Sequence, residues 1–409
     1  MDYPKLRNVE IFPVQMEGRR MVCFRDPARI TEGMVLFPYE FLFVISLFDG
    51  KHSITDIQTE YMRTFGDLLY SDHIVGVATE LNRYYLLENE HYEAYRKKIE
   101  NDFLQSPVRM PILAGNGYDA EADKLRKQLE GFFTQEEGPG QCPDPRSTAH
   151  CLKGLIAPHI DFMRGGPCYA WAYRELAEQS AEDVFILLGT SHLPTKKYFV
   201  LTRKDFITPF GPLSTDQTIM GRLEEELGRD FFADELVHRN EHSLEFQAVY
   251  LHYLFDSKRT ITIVPILCGS YHNIITRHMN PRGVEEIALF LGNLKKILRE
   301  DQRRICVVAG ADLAHVGPQF GDPFRVSSAV MHELKVKDLA MLDHVADGDA
   351  QAFFEYIMRE NDQRKICGLP PIYALLSLLE EGKGTLCKYS QWRDHEGNGA
   401  VTFASMVFH

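Results

Sequence analysis

No apolar run in this 409-residue chain approaches the roughly 18–20 residues that a membrane-spanning helix needs. Met1 to Glu10 is mixed polar sequence without a charged-then-apolar leader, so the sequence predicts a cytoplasmic protein. No Cys-x-x-Cys pair occurs among the 8 cysteines, and Cys23, Cys268 and Cys306 sit inside apolar, strand-like runs, as reduced thiols do. No basic block occurs either. With a formal charge of −13 the chain lacks the lysine and arginine that nucleic acid or an anionic membrane surface would require. Dinucleotide-binding GxGxxG, phosphate-binding Walker, nucleophile-elbow GxSxG and zinc-protease HExxH patterns are all missing.

What is present is a repeated device. In GLIAPHIDF (154–162) an apolar run with the character of a buried strand breaks at Pro158 and delivers His159 into a loop. VFILLGTSH (184–192) ends in His192, and ICVVAGADLAH (305–315) ends in Asp312 and His315. Open α/β sheets bind ligands just beyond the carboxyl ends of their strands. Several strands aiming imidazoles at that edge predict a metal site there.

Length and composition, 44% hydrophobic and 25% charged, suit a globular chain of two domains. Residues 1–95 read as a small module: strand-like RRMVCF (19–24), an apolar helix over 36–50 stopped by Asp49-Gly50, a helix over 54–66 capped by Ser53, and a third over 71–87. A polar helix spanning the segment 96–108 links it to a second domain, 109–409. There, after a turn holding Ala114, Gly115 and Tyr118, an amphipathic helix and an exposed Gly/Pro loop at 134–150, apolar runs near 153–157, 184–188, 261–267 and 305–309 alternate with helical patterns near 166–179, 215–228, 243–255, 283–299 and 326–346. That alternation predicts an α/β domain, a mostly parallel sheet with helices on both faces. Residues 365–381 read as a turn into a helix and 399–409 as a final strand.

His159 and His192 are the leading metal-ligand pair, against the alternative of two hydrogen-bonded loop histidines. Cys367 stands just ahead of a helix opened by Pro370-Pro371, where exposed N–H groups favour a thiolate; the alternative is a small buried hydrophobe. Asp312 and His315 are either an acid/base pair beside the metal or, for Asp312, a helix cap. In NEHSLEFQ (240–247), Ser243 is a candidate cap placing Glu245 in the first turn of a helix, and Glu241 and His242 are candidates for the pocket rim. The His242/Glu245 spacing also matches half of a two-metal carboxylate site, but no second Glu-x-x-His follows.

Six segments in order carry a resemblance: Ala114, Gly115 and Tyr118; APH at 157–159; GTSH at 189–192; EHSLE-x-Q at 241–247; Asp-x-x-His at 312–315; and ICG-x-x-P at 366–371. By these, residues 109–409 resemble the Memo family, the B component of the AmmeMemoRadiSam system. The resemblance implies a fold like that of class III extradiol dioxygenases, with a cysteine in place of the usual carboxylate ligand. The implied ligands are His159, His192 and Cys367, with Asp312 and His315 beside them, and the implied ion is Fe(II) or copper, zinc being a further option. A radical-SAM protein and an AMMECR-like protein are the implied partners. Thr402-Phe403 stands where a Ser-Tyr pair is frequent, so that tyrosine's role does not transfer. Residues 1–95 resemble winged-helix peptide-binding modules of the PqqD-like type, so a peptide is an expected partner; nine basic against fifteen acidic residues there argue against DNA.

The expected activity is that of a metal-dependent oxidoreductase that activates O2 or a substrate on the open face of a His/His/Cys ion, with His315 moving a proton and Glu241 and His242 positioning. Two other functions fit the same residues. One is a metal-assisted hydrolase with His315 or Glu241 as base. The other is a non-catalytic adaptor that binds metal or peptide.

Overall fold

A computed structural model describes residues 2–26, 30–31, 33–144, 152–179, 181–256, 258–379 and 382–409. The chain divides into two compact units, Met1–Gln105 and Ser106–His409.

In the first unit three antiparallel strands, Glu10–Met16, Arg19–Arg25 and Met34–Pro38, form a meander. The apolar stretch expected to be one helix over 36–50 is instead the last of these strands, then a single 3-10 turn and the short helix Leu42–Ser46. Pro38 supplies the break, because it fixes φ and the strand ends on it. Helix Ile54–Phe65 is capped as expected: Ser53 accepts from the Asp56 N–H and the Asp56 carboxylate accepts from that of Ser53. Helix Ser71–Arg83 buries Ile74, Val77 and Leu81 against Val22, Phe24, Val35 and Phe37 of the sheet. The charged helix Glu90–Gln105 ends the unit.

The second unit is built on an eight-stranded mixed sheet. Its centre is parallel, with Gly154–Ala157, Ile305–Gly310, Val184–Thr190 and Thr262–Cys268 side by side. Both flanks are antiparallel. Phe199–Leu201 joins one side, while Ala400–Phe408 pairs with Gly154–Ala157 on the other and carries Asp312–Val316 and Gly384–Arg393. The sheet is therefore parallel only in its core. The buried centre reads as continuous apolar runs because both faces are covered. Ala400–Phe408 forms where the sequence places a final strand, whereas Phe199–Leu201 and Asp312–Val316 are short and Gly384–Arg393 is only partly buried, which hid them in the sequence.

Alternate residues of the central strands feed two cores. Ile156, Ile186, Leu188 and Val264 pack against helices Gln217–Leu227, Glu285–Glu300 and Leu369–Leu378. Leu155, Phe185, Leu187 and Val308 pack against Ala122–Thr134, Phe162–Gln179 and Ser243–Phe255. Helix Ser328–Ala346 also forms where the periodicity places it, and Ala350–Arg359 is a further helix that the pattern did not announce. Of the Gly/Pro loop expected at 134–150, Thr134 closes the preceding helix and residues 145–150 lie outside the described residues. Among the described residues no helix is long and apolar enough to cross a membrane. The seven cysteines described there are all free thiols.

Candidate metal centre

The parallel strands end in the loops that carry the candidate ligands. His159 follows Gly154–Ala157 by one residue beyond Pro158, and its backbone N–H donates to Oδ1 of Asp312 at 2.9 Å. Its Nδ1 lies 2.9 Å from the carbonyl oxygen of Gly310. A carbonyl only accepts, so Nδ1 carries the proton and Nε2 is left with a free lone pair. His192, after Val184–Thr190, has Nδ1 3.0 Å from Oε2 of Glu241, which fixes the same tautomer. Nδ1 of His242 lies 3.3 Å from Oε1 of the same carboxylate.

Three imidazoles thus turn toward one point. Their ring centroids are 5.1 Å (His159–His192), 5.6 Å (His159–His242) and 4.8 Å (His192–His242) apart. One ligand atom from each falls within 4.8 Å of the others. Two donors about 2.1 Å from one ion span at most about 4.2 Å, so sub-ångström side-chain adjustments suffice. The sulfur of Cys367 lies 3.2 Å from Nε2 of His159 but is not among the three mutually close ligand atoms, which are all from histidines. The donor set of imidazoles and a thiol suits a borderline or soft transition ion better than magnesium or calcium.

Glycine makes this convergence possible. A Cβ on Gly189 would lie 2.5 Å from Oγ of Ser243, so only glycine lets the start of helix Ser243–Phe255 approach the end of the second strand. Ser243 Oγ then donates to the carbonyl of Thr190 at 2.9 Å, and Glu241 and His242, immediately upstream, are brought to His192. The cap position belongs to His242 and not to Ser243, whose hydroxyl is committed to the strand. On the Cys367 side, a Cβ on Gly368 would sit 2.3 Å from the carbonyl oxygen of Asp312. The Gly368 N–H donates to that carbonyl at 3.0 Å.

Asp312 is not a helix cap: it opens the strand Asp312–Val316, and its buried carboxylate serves His159. Burial raises its pKa. His315, on the same strand, directs Nδ1 at the carbonyl of Leu313 (3.2 Å) and packs its ring edge-on against Phe320. Burial lowers the pKa of His159 to about 3 and those of His242 and His315 to about 4, so all three imidazoles are neutral near pH 7. Burial alone would also lower His192, but the Glu241 carboxylate outweighs it and the net shift is upward. Burial likewise penalises the Glu241 carboxylate, yet His192, His242 and backbone N–H donors hold it well below the usual range. The thiol of Cys367 is pushed up by burial and then by Asp312. In the metal-free protein the thiol is therefore the favoured form, because burial and the carboxylates of Asp312, Glu241 and Asp362 all oppose ionisation.

Glu245 is the second carboxylate of the EHSLE segment and turns away from the histidines. It receives Arg109, the N–H groups of Ile112 and Leu113, and the Tyr118 hydroxyl at 2.5 Å. It therefore ties the 109–118 segment to the helix, which excludes the two-metal reading of His242 and Glu245. Sequence reasoning placed His242 at the rim; the structure brings its ring into the cluster. The available signal was its position beside Glu241 just ahead of a helix.

A model of the Memo-like protein family matches residues 109–407. The chain belongs to the Memo family. A MEMO1 family protein of Aquifex aeolicus is 27% identical over 409 residues, covering 99% of this chain and 100% of its own, so that alignment takes in the first unit as well. Relatives from Methanopyrus kandleri (27% identical, 73% of this chain, 98% of that protein) and Sulfurisphaera tokodaii (30% identical, 67% and 88%) cover less of the chain. A crystal structure of an uncharacterized Escherichia coli K12 protein aligns with 63% of the chain at a TM-score of 0.35 and 13% identity, too remote to bear on fold or chemistry.

Proposed function

We propose that this Memo-family chain holds one non-haem transition ion through His159, His192 and Cys367, with His242 as a neighbouring donor, and uses it as a metal-dependent oxidoreductase. The observation that carries this reading is the convergence of three imidazole ligand atoms within 4.8 Å of one another, with the Cys367 sulfur 3.2 Å from Nε2 of His159 at its margin. Fe(II) or copper is the proposed ion, with zinc the further candidate, because imidazole and sulfur donors suit all three. When bound, such an ion supplies Lewis acidity and, for iron or copper, one-electron chemistry on O2 or a substrate.

The chain's own residues would do the rest. Glu241 orients His192 and fixes its tautomer, and the same carboxylate lies 3.3 Å from Nδ1 of His242. His315 is neutral at pH 7 with Nδ1 occupied by the Leu313 carbonyl, so Nε2 is the atom that would take and return a proton. A cavity of about 390 Å³ lined by His192, Leu193, Thr195, Tyr198, Ser270 and His272 opens beside the cluster and would admit a small substrate. By family, the partners proposed are a radical-SAM protein and an AMMECR-like protein, and the fold relation proposed is to class III extradiol dioxygenases. The first unit, a three-stranded meander followed by helices, is proposed as a PqqD-like winged-helix module for a peptide.

Metal analysis of protein purified without oxygen tests the reading. Iron or copper near one per chain, reduced in Cys367→Ser and in His159→Ala, is the expected result. Bound zinc with hydrolytic activity would favour a hydrolase with His315 as base, a reading that the same neutral imidazole supports. Metal-free protein that reloads with none of these ions, while still binding peptide, would leave an adaptor.

A further inference from the structure

Cys367 is delivered by a turn that is costly to hold. Asn361, Asp362 and Lys365 all have positive φ, at 50°, 50° and 54°. Asn and Asp tolerate this region, but a lysine has no short side chain with which to compensate, so the conformation is disfavoured for it. Lys365 is thus the strained member, two residues before the sulfur. Its Nζ donates to Oδ1 of Asp322 at 2.6 Å, and Oδ2 of the same carboxylate accepts the Gly317 N–H at 2.8 Å. Gly317 lies two residues after His315, whose own N–H donates to the Arg364 carbonyl at 2.7 Å. One carboxylate therefore joins the end of the strand bearing Asp312 and His315 to the turn bearing Cys367.

We propose that Asp322 is a positioning residue for Cys367: by holding Lys365 in its left-handed conformation, it sets the sulfur against the His159 ring and so governs whether sulfur enters a bound ion's coordination shell. The inference rests on the ligand role proposed for Cys367 above. The Asp322 carboxylate is only slightly exposed and also bonds a backbone N–H, so its pair with Lys365 has more geometric definition than an ordinary surface ion pair. Release of the turn has room to occur: a cavity of about 530 Å³ lined by Val316, Asp322, Phe324, Arg364 and Lys365 lies beside it. The deeper Arg364–Asp338 pair keeps the turn attached to helix Ser328–Ala346 when the outer contact is lost.

Backbone strain gives the test its specificity. Lys365→Ala removes the ammonium and keeps the conformational cost, whereas Lys365→Gly removes both. In metal-free full-length protein, alkylation of Cys367 by iodoacetamide, followed by peptide mapping, should be about five-fold faster in Lys365→Ala and Asp322→Ala, the ratio for ~1 kcal/mol. Lys365→Gly should return toward the wild-type rate. In Co(II)-loaded protein the thiolate-to-metal charge-transfer band should weaken in the two alanine variants and persist in Lys365→Gly. Unchanged alkylation in both alanine variants, or a glycine variant as fast as the alanine one, overturns the proposal. A wild-type protein that binds Co(II) without any thiolate band sinks the ligand role of Cys367 instead, and the alkylation rates still decide whether Asp322 positions the sulfur.

Discussion

The sulfur of Cys367 stands 3.2 Å from Nε2 of His159, a residue 208 positions away along the chain. Because Nδ1 of His159 is committed to the Gly310 carbonyl, Nε2 is the acceptor and the thiol the donor of this contact. An ion entering here must displace that proton, so metal uptake should release acid. Adding Zn(II) or Co(II) to weakly buffered protein at pH 7 should release about one proton per chain, and Cys367→Ser should release distinctly less. Equal release from both proteins would mean that the sulfur does not bind.

Glu241 reaches both His192 and His242 through one carboxylate and also accepts the backbone N–H groups of His192, His242 and Ser243. An amide in its place retains one acceptor oxygen and presents N–H groups to at least one imidazole, turning a ring or reversing its tautomer. Glu241→Gln should therefore weaken metal affinity by about 10–100-fold, the usual cost of losing a hydrogen bond behind a ligand. The far-UV circular dichroism should stay unchanged. A competition titration against a chromogenic chelator measures the affinity, and a loss under two-fold would remove Glu241 from the positioning role.

The central strands and the loops after them could be read from the chain because a strand buried on both faces leaves an uninterrupted apolar run, as in Phe185–Leu188, and because glycine or proline marks its end. The strand Asp312–Val316 carried no such mark: it is short, polar at Asp312 and His315, and its pairing with Ala400–Phe408 depends on a strand almost ninety residues away. The same limit hid His242. Its place in the cluster depends on how closely a helix start approaches Gly189, a distance that no local periodicity encodes. Cys367 was legible as a ligand candidate but not as a protonated thiol, since its burial comes from tertiary packing.

The pair Arg109–Glu245 is fully buried and satisfies two backbone N–H groups and the Tyr118 hydroxyl. Removing one partner strands the other charge away from water, at a cost of about 3–5 kcal/mol. Glu245→Ala should lower the stability of the second unit by that amount, measured by the urea midpoint of its unfolding. Arg109 also donates to the Glu241 carbonyl at 2.6 Å, so the protein still folded at low urea should lose less Co(II) affinity than Glu241→Gln but need not match the parent. A midpoint within about 0.5 kcal/mol of the parent would show that the network contributes little.

Acid should destabilise the metal-free protein well before ordinary carboxylates titrate. Burial lowers His159 and His238 to about 3 and His242 and His315 to about 4, against an unfolded value near 6.5. Between those limits the unfolded chain binds protons that the folded chain excludes, so unfolding becomes more favourable as pH falls. The stabilisation is complete above about pH 6.5 and declines as pH falls, stopping near 4 for His242 and His315 and near 3 for His159 and His238 as each folded histidine protonates. Each such group contributes a limiting slope of about 1.4 kcal/mol per pH unit. His192, whose folded pKa is raised, has the opposite sign: its contribution is present below the unfolded value and lost as pH rises through the folded one. One opposing group against four leaves the net trend downward on acidification. Urea midpoints at pH 7, 6 and 5 should therefore fall steadily, and His238→Gln, which removes a buried histidine outside the cluster, should flatten the slope by about one group. A midpoint that holds constant or rises from pH 7 to pH 5 would contradict the neutral, proton-excluding state of these imidazoles on which the ligand geometry depends.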